Sequence, residues 1–224
     1  MDLILWPENT VSVERFAGST EERTLQRIAR DRGATITAGV VEGAGPEHFR
    51  NAQIAWGPDG ARVDRFDKVR RVPYGEYFPF RSRIERWGLA DLPARDATAG
   101  SGPGILRTPA GPMAVAISYE GFFDDRSRGG VRAGGEALLI PTNASSFTDA
   151  HVPSQQLAAA RLRARETGRW TAQAAPTGFS AVIDHRGRLL EHTDLRERAV
   201  IVRTIDRRTG FTPYVRSTTP PWRC

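Results

Sequence analysis

The chain has 224 residues, of which 39% are hydrophobic and 26% charged, and its formal net charge is +6. These values fit one ordinary globular domain with a substantial core and exclude a disordered or low-complexity chain. No run approaches the ~18 apolar residues of a membrane helix, and the single cysteine, Cys224, cannot close an internal disulfide.

Leu3 to Trp6 reads as a short buried strand stopped by Pro7. The opening MDLILWPENT has no basic segment before a long apolar run, so no signal peptide is expected in it. Ser19 with Glu22 three residues on forms a capping box, and Leu25, Ile28 and Ala29 continue with helical spacing up to Gly33. Thr35 to Val41 is expected as a strand. Asn51 to Trp56 and Ala61 to Phe66 flank GPDG, a strong turn signal, and predict a hairpin. A Pro-bounded loop over Pro73 to Pro79 leads to a short helix at Arg81 to Trp87. Leu92 to Gly104 is a Gly/Ala/Pro-rich connection.

Met113 to Ile117 and Ala137 to Ile140 are apolar strands around a helical stretch near Phe123 to Val131. Ser154 is expected to cap a long helix through Thr167. Thr171 to Ala175, Phe179 to Ile183 and Ala199 to Ile205 read as strands, with HRGR as the turn between the last two. Alternating strands and helices interrupted by hairpins indicate an α/β layered domain with a mixed sheet. No internal repeat or domain boundary is visible.

The basic residues are scattered and alternate with acids, as in DDRSR and LRERA. Solvated faces explain that pattern, and attraction to an anionic lipid surface is the sharper reading. Nucleic acid is disfavoured, because no basic patch with interleaved aromatics occurs. Lys68 is the only lysine among 32 basic residues. A position that keeps lysine in an arginine-rich chain points to a need for a compact ammonium that can exchange a proton. No metal-ligand spacing, GxGxxG, GxxxxGK[ST] or GxSxG pattern is found, so metal, nucleotide and ordinary serine-hydrolase chemistry lack their usual signals.

Three segments carry the chemistry. Glu8 follows a strand and a rigid Trp6-Pro7 step. Lys68 follows the hairpin. Ser118 ends the apolar run of AVAISYEGFF. Acyl transfer needs a base, a cation or donor for the oxyanion, and a nucleophile, and these three residues are of those types.

WPEN, DKVRRVPYGEYFP, ISYEGFF and PTNASSF, followed by QQLAAARLRARETGR, resemble the nitrilase (carbon–nitrogen hydrolase) superfamily. More closely, they resemble the nitrilase-like domain of apolipoprotein N-acyltransferases, with actinobacterial flavour in Gln155-Gln156 and RARETGR. The resemblance covers about Leu3 to Arg216 and implies a domain over 1–216 with an irregular tail at 217–224. It implies a four-layer αββα sandwich with mixed sheets. It places the family's Glu, Lys and Cys at Glu8, Lys68 and Ser118, a second glutamate at Glu76, and the following Tyr-Glu at Tyr119 and Glu120. Asn143 is a further pocket candidate, though turn chemistry is its ordinary role. The implied reaction moves an acyl chain from a phospholipid, through the nucleophile, to the amino terminus of a lipoprotein. It needs no cofactor and takes place at the outer face of the cell membrane.

The chain departs from that pattern in three places. Serine stands where the family has cysteine, the flanking membrane helices are not in this sequence, and the strand that precedes WPE in the family is expected to be missing. A fragment, a truncated gene product and a degenerate paralogue all fit. A thiol near neutral pH is a few per cent thiolate, whereas an alcohol needs a base during attack. An impaired acyltransferase domain is therefore the leading expectation. An inactive lipid- or peptide-binding module, a serine-dependent amidase and a deliberate Cys→Ser change remain open.

Overall fold

The computed structural model describes residues 1–88, 92–147 and 149–217. Its first sheet contains β1 (Leu3–Leu5), β2 (Val11–Val13), β3 (Thr35–Gly43), β4 (His48–Trp56), β5 (Arg62–Asp67) and β6 (Asp96–Ala97). The second runs β12 (Leu189–His192), β11 (Ala181–Ile183), β10 (Thr171–Ala174), β9 (Ala137–Pro141), β8 (Gly111–Val115), β7 (Ile105–Thr108). Both are mixed. β3–β4–β5 is antiparallel while β1 and β2 run parallel to β3, and β8–β9–β10 is parallel between antiparallel neighbours. The helices are α1 (Thr20–Arg32), α2 (Arg81–Trp87), α3 (Asp124–Arg132), α4 (His151–Thr167) and α5 (Pro213–Arg216).

Side-chain alternation along the strands builds the layers. Ile54 and Trp56 on β4 join Leu25 and Ala29 of α1 in one core, while Ala55 between them faces the opposite way. Met113, Val115 and Ile117 meet Ala55, Phe66 and Leu139 between the two sheets. Ala114, Ala116, Leu138 and Ile140 point outward to Val131 of α3 and to Ala160 and Ala164 of α4. Three apolar interfaces thus separate four layers, helix–sheet–sheet–helix, as expected. Phe16 and Trp56 are fully buried and meet edge to face at 5.9 Å, an arrangement that adds ~0.5–1.5 kcal/mol beyond area burial.

The helix termini follow their sequence signals. Ser19 Oγ accepts from Glu22 N at 3.0 Å, and Glu22 Oε2 accepts from Gly18 N at 2.7 Å, one residue earlier than a standard capping box. Gly33 closes α1 at φ 56°. β1 ends immediately before Trp6-Pro7-Glu8, so a strand precedes WPE where one was expected to be missing; it is an edge strand that pairs only with β3 among the described residues.

Several expectations change. Residues 199–205 form no strand; the partner across the Asp184–Arg188 turn is β12, and Val200 and Val202 are exposed. α4 begins at His151, because Asp149 Oδ1 accepts from His151 N, which leaves Ser154 inside the first turn, bonded to Ala150 O. The Leu92–Gly104 connection contains β6. β2, β7 and α5 were not expected. Of the 217–224 tail only Ser217 is described; 218–224, with Cys224, lie outside the described residues.

Candidate active site

β1 and β2 are two halves of one edge strand. β1 pairs with the start of β3 and β2 with its end. Between them the chain bulges at Trp6 to Thr10, held by Trp6 N to Thr37 O (2.8 Å) and Gly39 N to Pro7 O (3.1 Å). A Cβ on Gly39 would lie 2.5 Å from Pro7 O and 2.6 Å from Glu8 Cα, so only glycine admits the bulge. Gln53 Nε2 supports it from β4, donating to Trp6 O at 3.1 Å. The bulge delivers Glu8, whose exposure is 4%.

Lys68, just past β5, is 2% exposed and donates to Glu8 Oε1 at 2.8 Å and to Glu76 Oε1 at 2.7 Å. Asn51 Nδ2 donates to the same two oxygens, at 2.8 and 3.3 Å. Glu76 is fixed in turn by Val72 N on its Oε2 at 2.8 Å. Burial works against the Lys68 ammonium, but the carboxylates of Glu8 and Glu76 outweigh it and hold its pKa above the ordinary 10.5. Lys68 therefore stays charged at neutral pH. Two of its three protons are committed to carboxylates, and the third remains for a developing oxyanion. Glu8 Oε2 makes no hydrogen bond among the described residues.

Ser118 follows the end of β8 and opens a 3-10 turn over Ser118–Phe122. It is buried, at φ 51°. That left-handed conformation costs an L residue ~1–2 kcal/mol, and such strain concentrates at functional positions. Its Oγ accepts from Thr142 Oγ1 at 3.3 Å and from Gln156 Nε2 at 3.5 Å. Neither Lys68 nor Glu8 bonds it in this resting arrangement.

Glu120 ties the two parts together. It is fully buried, and its Oε1 accepts from Val69 N (2.8 Å) and Arg70 N (3.1 Å) while Oε2 accepts from Ile117 N (2.9 Å). One carboxylate thus clamps the backbone just after Lys68 to the backbone just before Ser118. Arg126 Nε lies 3.5 Å away. Burial pushes the Glu120 carboxyl above its usual range, against the pull of the Ile117, Arg70 and Val69 amides and of Arg126.

The remaining candidates, Tyr119 and Asn143, make other contacts. The Tyr119 ring packs edge-on against Phe122 and Phe123, and Arg70 covers Phe123. Asn143 Oδ1 accepts from Ser145 N at 2.9 Å, which is turn chemistry. Asn51 and Thr142 were not singled out from the sequence. The signal for Asn51 was available: Asn51 and Gln53 share one face of an otherwise apolar buried strand. Asn51 Oδ1 is buried without a partner among the described residues, the kind of orphan that calls for a functional reason.

A buried acid–ammonium–acid cluster clamped through Glu120 to a strained strand-end serine, on a two-sheet sandwich, defines a class. The chain belongs to the carbon–nitrogen hydrolase family, whose model matches residues 1–214. Among its relatives is an apolipoprotein N-acyltransferase of Rhizobium meliloti (strain 1021), 36% identical over 215 residues, covering 89% of this chain and 39% of that protein. One from Mycolicibacterium smegmatis is 29% identical over 215 residues, covering 94% of this chain and 36% of its own length. The chain thus spans about two fifths of the curated relatives it matches. A glutamate-to-glutamine mutant of an amidase from Nesterenkonia sp. AN1, solved with acrylamide added at its active-site cysteine, shares the fold. Its TM-score is 0.63 at 20% identity, over 87% of this chain and 76% of that one. A serine-for-cysteine mutant of that amidase superposes with a TM-score of 0.62 at 23% identity, over 87% of this chain and 74% of that one. Among the described residues, no helix is long and apolar enough to cross a membrane.

Proposed function

We propose that this chain is the acyl-transfer domain of a protein of the apolipoprotein N-acyltransferase type, slowed by the serine at its nucleophile position. The observation that supports this most is the buried Glu8–Lys68–Glu76 cluster clamped through Glu120 to Ser118. In the first half-reaction, Ser118 Oγ attacks the ester carbonyl of a phospholipid and Glu8 takes the hydroxyl proton. Lys68 meets the oxyanion with its uncommitted N–H. The donor's C–O bond breaks, and the leaving alkoxide takes the proton from Glu8. In the second, the amino terminus of a lipoprotein attacks the serine ester, the C–N bond forms as the Ser118 C–O bond breaks, and an amine proton passes through Glu8 to Ser118 Oγ.

The serine makes each step harder. It is not ionised near neutral pH, so Glu8 must remove its proton during attack. A site shaped for sulfur also holds oxygen short of the acyl carbon, and ~1 Å of misplacement costs about a hundredfold.

The test uses a Cys224→Ser background, so that any adduct reports on position 118 alone. Mass spectrometry follows acylation by an activated ester before and after the Ser118→Cys change. The expected result is slow or undetectable adduct on the serine chain and rapid stoichiometric adduct on the Ser118→Cys variant. A thiol that stays unmodified in a folded protein would overturn the proposal.

A further inference from the structure

Gln156 stands on α4, whose first turns lie over the 3-10 turn that begins at Ser118. It is 7% exposed. Its two amide atoms are in different states. Nε2 donates to Ser118 Oγ at 3.5 Å. Oε1, on the same planar group, is buried and has no hydrogen-bond partner among the described residues. A buried carbonyl left unpaired costs ~1–3 kcal/mol, so it belongs where a donor arrives from outside. The donor must come within one amide group of the nucleophile's oxygen.

We infer that Gln156 Oε1 reads the nitrogen of the acyl acceptor and steers the acyl-enzyme toward an amine rather than water. The inference rests on the acyl-transfer reading of the site. The chemistry of the two products makes the distinction. When a primary amine attacks the Ser118 ester, the C–N bond forms and the Ser118 C–O bond breaks. One N–H proton passes through Glu8 to Ser118 Oγ. The product amide keeps its other N–H, which stays available to Gln156 Oε1. When water attacks, its C–O bond forms as the Ser118 C–O bond breaks and one water proton passes through Glu8 to Ser118 Oγ; the acid keeps its O–H only until it ionises, after which its oxygens face the carbonyl lone pairs. An N–H thus meets Oε1 throughout the path to the amide, and this contact holds the nitrogen of a seated acceptor toward the acyl carbon, a positioning that a freely turning water lacks.

Three residues before Gln156, on the same helical face, Pro153 lines a crevice of about 160 Å³ with Ala144, Phe147 and Thr177. It offers a place for the remainder of the acceptor.

The experiment measures partition. The Cys224→Ser chain and its Ser118→Cys derivative are acylated with p-nitrophenyl butyrate, then exposed to glycinamide over a range of concentrations. Butyryl-glycinamide and butyrate are quantified. Both products leave the same acyl-enzyme, so their ratio does not depend on how fast it formed. Gln156→Met keeps the length of the side chain and removes the carbonyl. The amide-to-acid ratio is expected to fall about tenfold, the effect of one lost hydrogen bond. Gln156→Glu keeps an acceptor oxygen and is expected to hold or raise the ratio. Thr142→Val loses a donor to Ser118 Oγ and leaves Oε1 intact, so it is expected to slow acylation without moving the ratio. Acyl-enzyme that partitions identically with and without Gln156, or equal falls for the Met and Glu changes, would overturn the inference alone. Absence of acyl-enzyme on both chains would overturn the acyl-transfer reading and this inference with it.

Discussion

Replacing Glu120 by alanine should lower the stability of the fold strongly, because one side chain holds two segments together. Its carboxylate receives three backbone amides at 2.8, 3.1 and 2.9 Å in a fully buried position. Glu120→Ala leaves those amides without a partner and Arg126 without its nearest acid. Removing one member of such a buried charged network costs ~3–5 kcal/mol. For a domain of this size each kcal/mol lowers Tm by ~2–4 °C, so the expected drop is about 6–20 °C. Glu120→Gln should cost less. Its carbonyl can still receive the Val69 and Arg70 amides, but its NH2 then faces the Ile117 N–H, donor against donor. The assay is thermal unfolding by circular dichroism, with urea titration to check that the slope is unchanged. A drop below about 3 °C for the alanine variant, against the 2–4 °C per kcal/mol scale, would refute the clamp. So would a glutamine variant less stable than the alanine one.

Ser118→Gly should raise stability by ~1–2 kcal/mol, because glycine adopts φ 51° without strain, while abolishing acylation; urea unfolding checks the first and mass spectrometry the second. Gly39→Ala should displace the Pro7–Glu8 bulge, since its Cβ would sit 2.5 Å from Pro7 O; a lowered Tm together with lost acylation in the Ser118→Cys background is the expected readout. Lys68→Met should cost ~3–5 kcal/mol by leaving Glu8 and Glu76 facing each other unpaired, measured by urea unfolding. The Lys68 pKa is raised in the folded state above its unfolded value of 10.5. Its stabilising contribution is therefore complete below 10.5 and is lost as pH rises through the higher folded value. The stability gap between wild type and Lys68→Met should stay flat from neutral pH to 10.5 and shrink above it; a gap that closes nearer neutrality would contradict the assignment.

The parts of the fold readable from the sequence were those with strong local chemistry. GPDG fixed the β4–β5 hairpin, and Ser19, Glu22 and Gly33 marked both ends of α1. β2, β7 and β12 are only three or four residues long, too short to show a period; β2 pairs with the sequence-distant β3, while β7 and β12 close short hairpins with β8 and β11. The apolar run at 199–205 has strand composition but no ladder to join, so Val200 and Val202 remain exposed. At the site, Glu8, Lys68 and Glu76 were found from residue type and motif, and the structure brings them into one cluster. Tyr119 was named through its motif and sits in an aromatic cluster beside the site. Asn51 and Thr142 escaped because an amide and a hydroxyl gain meaning only from what faces them.

The two sheets divide the chemistry between them. Glu8, Asn51 and Lys68 ride on the first sheet and its loops, whereas Ser118 and Thr142 stand at strand ends of the second and Gln156 on its covering helix. In the proposed reaction, neither half holds a base and a nucleophile together. Their alignment is a property of the seam, where Ala55, Phe66, Val115 and Leu139 interdigitate. A slip of the sheets by a fraction of a residue would leave every hydrogen bond within each sheet intact and still part the acid from the nucleophile. Chemistry at this site is thus a gauge of the shear between the layers. Trimming Leu139 to alanine should dull that gauge at temperatures where circular dichroism still reports a folded chain.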